Sequence, residues 1–195
     1  MNKFLIIVLA ASAAGMLLYL KYPHVFTPKK VLEEKTKKSA LPVTYTDDEK
    51  NEVINLFNKA LADEWLAHFQ YWLGAKVVKG NLASKAVLEL MEHAREEYEH
   101  AGMLADRIIE LGGQPLMYPE EWLKESGCGY EAPTDSAIKV ILDQNIKGEQ
   151  CAIKAYNNIL EVIGAKDPTS KDMITKILND EIKHEKDLKE LLAQA

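Results

Sequence analysis

Three interruptions of very unequal length divide residues 46–195, and they set the topology this chain can adopt. Long stretches with apolar residues at helical spacing break first at Lys79-Gly80-Asn81, then from Gly112 to Asp135, and last from Gly164 to Pro168. The spacing predicts four helices: from a capping box at Thr46-Asp47-Asp48-Glu49 to about Val78, from Ala83 to Leu111, from Ser136 to Ile163, and from Ser170 to Leu192. The first carries the stripe Val53, Leu56, Phe57, Ala60, Leu61, Trp65, His68 and Trp72. The second carries Val87, Leu88, Met91, Ala94, Tyr98, Ala101, Leu104 and Ile108. A few residues join helices one and two, and helices three and four, so each pair is an antiparallel hairpin. The middle connection, with three prolines and a short helical turn expected at Pro119-Glu120-Glu121-Trp122-Leu123, is long enough to climb the bundle. The expected fold is all-α: a four-helix bundle with one long crossover between parallel helices two and three.

Ahead of this bundle the chain changes character. Phe4 to Leu20 is uncharged and apolar on every face, at the lower edge of what spans a bilayer. Met1-Asn2-Lys3 and Ala11-Ser12-Ala13 also suit a cleaved signal, but the apolar run continues past that point, which favours an uncleaved hydrophobic helix. Residues 1–21 are therefore expected to be a membrane anchor or signal segment. Residues 22–45, with Pro23, Pro28, Pro42 and a lysine-rich middle, read as a tether, and residues 46–195 as the folded domain. The lysines that follow the apolar run lean the domain toward the cytoplasmic side of a membrane-anchored protein, whereas cleavage would give an exported soluble one. A net charge of -6, with acids spread along the chain, argues against specific nucleic acid binding. Cys128 and Cys151 lack CxxC spacing and fit a lone disulfide, a redox pair or two buried thiols.

Within the bundle one pattern occurs twice. Glu97 and His100 in REEYEH, and Glu181 and His184 in DEIKH, are Glu-x-x-His pairs whose members share a helix face. In an antiparallel hairpin, residues equidistant from the turn lie at one height. The midpoint of 64 and 97 falls on the first turn, and that of 149 and 181 on the last. Glu64 thus faces Glu97, and Glu149 faces Glu181. Tyr71 follows Glu64 by seven residues, as Tyr156 follows Glu149, so the two hairpins read as copies of one unit. A bundle would not bury four carboxylates for stability, because each buried ion costs several kcal/mol and like charges repel. Paired metal ions remove that cost and use these ligand types. Glu64, Glu97, His100, Glu149, Glu181 and His184 are therefore the expected metal and catalytic residues. Tyr71, Tyr156 and His68 are candidates for supporting them; each also fits as an ordinary core or surface side chain. His93 lies off the level of the six. Cys151, two residues past Glu149, points away from them.

At these residues the chain resembles the ferritin-like di-iron carboxylate superfamily over about residues 46–192. It is most similar to the Dps-like proteins called thioferritins, which combine a bacterioferritin-type ferroxidase centre with two cysteines. The matching cysteines here are Cys128 in SGCGYEAP and Cys151 in GEQCAIKAY; Ala165-Lys166-Asp167-Pro168 and the absence of a fifth bundle helix also fit. The resemblance implies two iron ions per chain, with Glu97 and Glu181 bridging and Glu64 and Glu149 terminal, although this ligand set also accepts manganese. It implies oxidation of Fe(II) by hydrogen peroxide or dioxygen for iron detoxification, oxidative-stress protection and iron storage, in a homo-oligomer. No haem ligand is assigned, and no haem is expected. The apolar start and tether depart from the thioferritin pattern. Two other readings stand beside this one: a rubrerythrin-like peroxidase or membrane-bound di-iron oxidase with an external electron donor, and a non-catalytic membrane-tethered interaction protein.

Overall fold

The computed structural model describes residues 43–195. The expected anchor or signal segment 1–21, its membrane partnership through residues 4–20, and nearly all of the tether lie outside the described residues. Among the described residues, no helix is long and apolar enough to cross a membrane.

Among the described residues four long helices and one short one form: α1 (Asp47–Val77), α2 (Ala83–Glu110), α3 (Pro119–Glu125), α4 (Ile138–Ile163) and α5 (Pro168–Leu192). Among the described residues there is no strand; one isolated bridge joins Lys79 and Ala137. The first helix starts where its capping box does. Glu49 N–H donates to Thr46 Oγ1 at 3.3 Å and Thr46 N–H donates to Glu49 Oε2 at 3.0 Å, satisfying amides that the first turn cannot. The third long helix begins two residues later than its sequence suggests, because the Ser136 carbonyl accepts from Lys79 N–H at 2.7 Å. The fourth begins earlier, at Pro168, whose fixed φ suits the first helical position. Asp167 caps it by accepting from Ser170 N–H at 3.0 Å.

Two backbone contacts at opposite ends establish the chain path. Lys79, in the α1–α2 turn, bonds to Ser136 and Ile138 at the start of α4. Thr44, just before α1, donates to Lys166 in the α4–α5 turn at 3.3 Å. Both α2 and α4 thus begin at one end, so they run parallel and the crossover climbs the bundle as expected. Trp122 of α3 stacks on Trp65 of α1 with ring centroids 5.0 Å apart, which docks the crossover on the outside of α1.

The core is divided along its length. One apolar cluster holds Phe57, Leu104, Tyr156 and Ile177, and the other holds Tyr71, Leu90, Ile141 and Leu188. Between them the inward positions of the helices turn polar. On α2 the buried series runs Ala86, Leu90, His93, Glu97, His100, Leu104, Arg107, and on α5 it runs Ser170, Ile174, Ile177, Glu181, His184, Leu188, Leu191. Both follow alternating steps of three and four, the packing repeat of a bundle. The apolar stripe expected for α2 is corrected at two members: Leu88 is 73% exposed and Tyr98 56%. Trp72 of the α1 stripe is likewise 39% exposed. Apolar residues alone misplace these faces, because charged residues hold several of the inward positions.

Candidate metal centre

The polar layer brings all six expected residues together. Glu64 of α1, Glu97 and His100 of α2, Glu149 of α4, and Glu181 and His184 of α5 are each at most 3% exposed. Two overlapping groups result: Glu64, Glu97, His100 and Glu181, and Glu97, Glu149, Glu181 and His184, the ligand atoms within each lying within 4.8 Å of one another. Glu97 and Glu181 belong to both. Each histidine turns Nδ1 inward. His100 Nδ1 lies 2.9 Å from Glu181 Oε1 and 3.4 Å from Glu64 Oε2, and His184 Nδ1 lies 3.1 Å from Glu97 Oε1 and 3.8 Å from Glu149 Oε1.

Behind the imidazoles stand two carboxylates that sequence reasoning missed. His184 Nε2 is 2.7 Å from Glu96 Oε2, and His100 Nε2 is 3.2 Å from Asp180 Oδ2. These residues immediately precede Glu97 and Glu181, and each serves the histidine of the opposite helix. A carboxylate behind a ring nitrogen fixes tautomer and orientation, leaving the other nitrogen free to bind. The acid doublet before each x-x-His, Glu96-Glu97 and Asp180-Glu181, is the signal that marks them.

On the other side of the layer, the tyrosines cross over. Tyr71 of α1 donates its hydroxyl to Glu149 Oε1 of α4, and Tyr156 of α4 donates to Glu64 Oε1 of α1. Both tyrosines are buried, so the two copies of the motif interlock. His68 does not meet the six. Its Nδ1 donates to the Ala94 carbonyl at 2.6 Å, and its ring packs among Trp65, Phe69 and Tyr98. His93 stays outside the central groups, as expected, and its ring stacks on that of His184 with centroids 4.1 Å apart.

Electrostatics without an ion are strained. Burial, and then the neighbouring charge of Glu64, raises the Glu97 carboxyl above its usual range. Burial, and then Glu181 and Glu97, raises Glu149 well above it. Burial would lower His184, but hydrogen bonds to Glu181 and Glu97 override it and push it up to about 12. His100 is raised in the same way against burial by Glu181, Glu64 and Glu97. Four buried atoms of this layer, Glu64 Oε2, Glu97 Oε1, Glu181 Oε1 and His184 Nδ1, lie in close polar contact with one another or with His100 yet make no well-aligned hydrogen bond. Buried polar atoms without aligned partners are costly in a natural core. Cations held among them would supply aligned partners, and oxygen and nitrogen donors of this set fit iron.

A cavity of about 320 Å³ reaches this layer from the crossover side, lined by Asp63, Gln70, Cys128, Gln144 and Asn145 and ending on Glu64 and Glu149. Cys128 and Cys151 are joined as a disulfide with Cα atoms 5.7 Å apart, which ties the crossover to α4. Asp63 holds the same loop to α1 by accepting from Ser126 Oγ and from Cys128 N–H, the latter at 2.8 Å. Burial raises the Asp63 carboxyl, against these hydrogen bonds, which lower it.

A bundle with one long crossover and a Glu/Glu-x-x-His pair from each hairpin defines a di-metal carboxylate protein. Residues 54–195 match the ferritin-like domain, and the chain belongs to that family. It is 32% identical over 142 residues to the DNA protection during starvation protein of Pyrococcus furiosus, covering 72% of this chain and 76% of that one. It is 28% identical to the bacterioferritin of Desulfovibrio desulfuricans over 71% of this chain and 73% of the relative. Among solved structures, the dodecameric thioferritin, a bacterioferritin-related protein of Bacteroides fragilis, is 41% identical; the match covers 74% of this chain and 86% of that one, with a TM-score of 0.73. Ferritin-like proteins bind iron, and the carboxylate and histidine groups found here are of the kind that holds it.

Proposed function

We propose that this protein is a ferroxidase that takes two Fe(II) ions per chain as substrate and oxidises them with hydrogen peroxide or dioxygen, for iron detoxification, protection from oxidative damage and iron storage. The observation that carries this reading is the set of four carboxylates and two imidazoles buried in one layer between two apolar clusters, four of their ligand atoms having no aligned hydrogen bond. Glu64 and His100 would hold one ion, Glu149 and His184 the other, and Glu97 and Glu181 both. Two adjacent Fe(II) ions each give one electron to the same peroxide, which takes up two protons and leaves as two waters, so no hydroxyl radical is released.

The chain's own residues make that pairing rigid. Tyr156 occupies Glu64 Oε1 and leaves Oε2 facing His100. Tyr71 holds Glu149 in the same manner. Glu96 and Asp180 keep both imidazoles turned inward, and the cavity beside Cys128 gives a small oxidant a path to Glu64 and Glu149. Manganese suits the same donors, but the dodecameric thioferritin and the bacterioferritin among the relatives favour iron and a homo-oligomer.

The test is anaerobic Fe(II) loading of the full chain, followed by rapid mixing with hydrogen peroxide or with dioxygen while near-ultraviolet absorbance is recorded. Two Fe(II) per chain should oxidise in a fast phase, slowed more than about 100-fold in Glu97→Ala, since even supporting residues of metal sites are worth 10- to 100-fold. Oxidation no faster than in buffer would remove the ferroxidase reading.

A further inference from the structure

The two hairpins correspond residue for residue around the centre: Glu96, Glu97 and His100 reappear eighty-four places on as Asp180, Glu181 and His184. The same offset applied to Glu89 and His93 gives Met173 and Ile177, and applied backwards to Asp187 it gives Met103. At one end of the bundle these positions are apolar, Ile177 fully buried and both methionines packed against the same cluster. At the other end they are a glutamate, a histidine and an aspartate, each offering a ligand atom within 4.8 Å of the others. Packing therefore does not require polar groups at this height.

His93 supplies the independent sign of a missing partner. It is 0% exposed, wedged between the rings of Tyr71 and His184, and neither ring nitrogen makes a hydrogen bond. Its Nε2 lies 3.4 Å from Glu89 Oε1. The two carboxylates are partly exposed, at 28% and 26% of their side chains. Lys183 Nζ, 3.7 Å from Asp187 Oδ2 and half exposed, is a loose surface pairing that a bound cation would displace at little cost.

We propose that Glu89, His93 and Asp187 form a third cation site, separate from the central pair and open to solvent, that takes a single first-row divalent ion. Two carboxylates balance the ion's charge, and one imidazole with two oxygen donors selects Fe(II), Zn(II) or Mn(II) over magnesium or calcium. The site stands whether or not the central layer is a ferroxidase. Its partly exposed carboxylates let it exchange ions directly with solvent, whereas the four glutamates on the far side of His184 are at most 3% exposed and are reached only through the cavity.

Crystals of the full chain soaked in Zn(II) alone, with anomalous diffraction collected at the zinc edge, test this directly, with Zn(II) calorimetry in solution as the companion. Three peaks per chain are expected, one of them among Glu89, His93 and Asp187. In His93→Phe, which keeps a ring against His184, that peak should vanish while the central two persist, and the stoichiometry should fall from three to two. Asp187→Ala, changed at a partly exposed position, should weaken the third equivalent at least tenfold should the histidine variant fail to fold. The outer peak with an empty centre would uphold this site and count against the dinuclear reading. Central peaks with no density at Glu89, His93 and Asp187, no bound zinc at all, or both variants binding as many ions as the unaltered chain, would overturn it.

Discussion

The two ends of the bundle are built from the same repeat yet spend their polar residues differently. Toward the α4–α5 turn, Arg107 of α2 is buried and donates to both oxygens of Asp167, at 2.9 Å each, and to Ser170 Oγ at 2.8 Å. Every polar atom in that group has a partner, and the group locks the start of α5 to α2. Toward the α1–α2 turn, His93 is buried with none. A satisfied buried network fixes structure, whereas an unsatisfied one points to a binding partner. The contrast separates what holds this fold together from what the fold is for.

Breaking the satisfied end should have the largest effect on stability. Asp167→Asn leaves the buried Arg107 charge with only the half-exposed Glu110, 2.7 Å away, as counter-ion and should cost up to about 3–5 kcal/mol in chemical unfolding, with no change in metal binding. Burial raises the Asp167 pKa, but hydrogen bonds from Ser170 and Arg107 outweigh it, so the folded value lies below the ordinary 3.8. Stability from this group is thus present above pH 3.8 and is lost as pH falls through the lower folded value. The variant and the unaltered chain should converge in acid unfolding titrations below that point.

Leu104 and Leu188 are equivalent by the repeat, one at each end, and both are fully buried. Leu104→Ala and Leu188→Ala should each cost about 2–5 kcal/mol. A clear inequality in their unfolding midpoints would show that one end carries more of the stability. Glu96→Ala and Asp180→Ala, read by Fe(II) affinity, should each weaken binding by about 10- to 100-fold, and by similar amounts if the halves of the centre are equivalent. Effects of similar size, about 1.5–3 kcal/mol of stability each for a hydrogen bond to a charged group, are expected for Tyr71→Phe and Tyr156→Phe.

The centre was legible in the sequence because antiparallel hairpins turn chain position into height: Glu64, Glu97, Glu149 and Glu181 could be placed from their turns alone. Thr46 and its capping box were equally readable, since that interaction spans three residues. Leu88 and Tyr98 misled, because hydrophobicity identifies a core face only when the core is apolar, and α2 turns His93, Glu97, His100 and Arg107 inward. Glu96 and Asp180 escaped notice because each serves a histidine on another helix, a relation that only the packing of α2 against α5 reveals. The pairing of Cys128 with Cys151 stayed open for a similar reason: it depends on where the crossover comes to rest, and Asp63 fixes that through Ser126 and Cys128.

The central claim is that two iron ions share Glu97 and Glu181, and the Mössbauer spectrum of the full chain loaded with two equivalents of ⁵⁷Fe(II) and oxidised by hydrogen peroxide tests it most directly. A magnetically coupled pair of ferric ions, silent in electron paramagnetic resonance, is the predicted result. The spectrum of isolated high-spin ferric ions would contradict it, because ions that share no ligand cannot couple in that way.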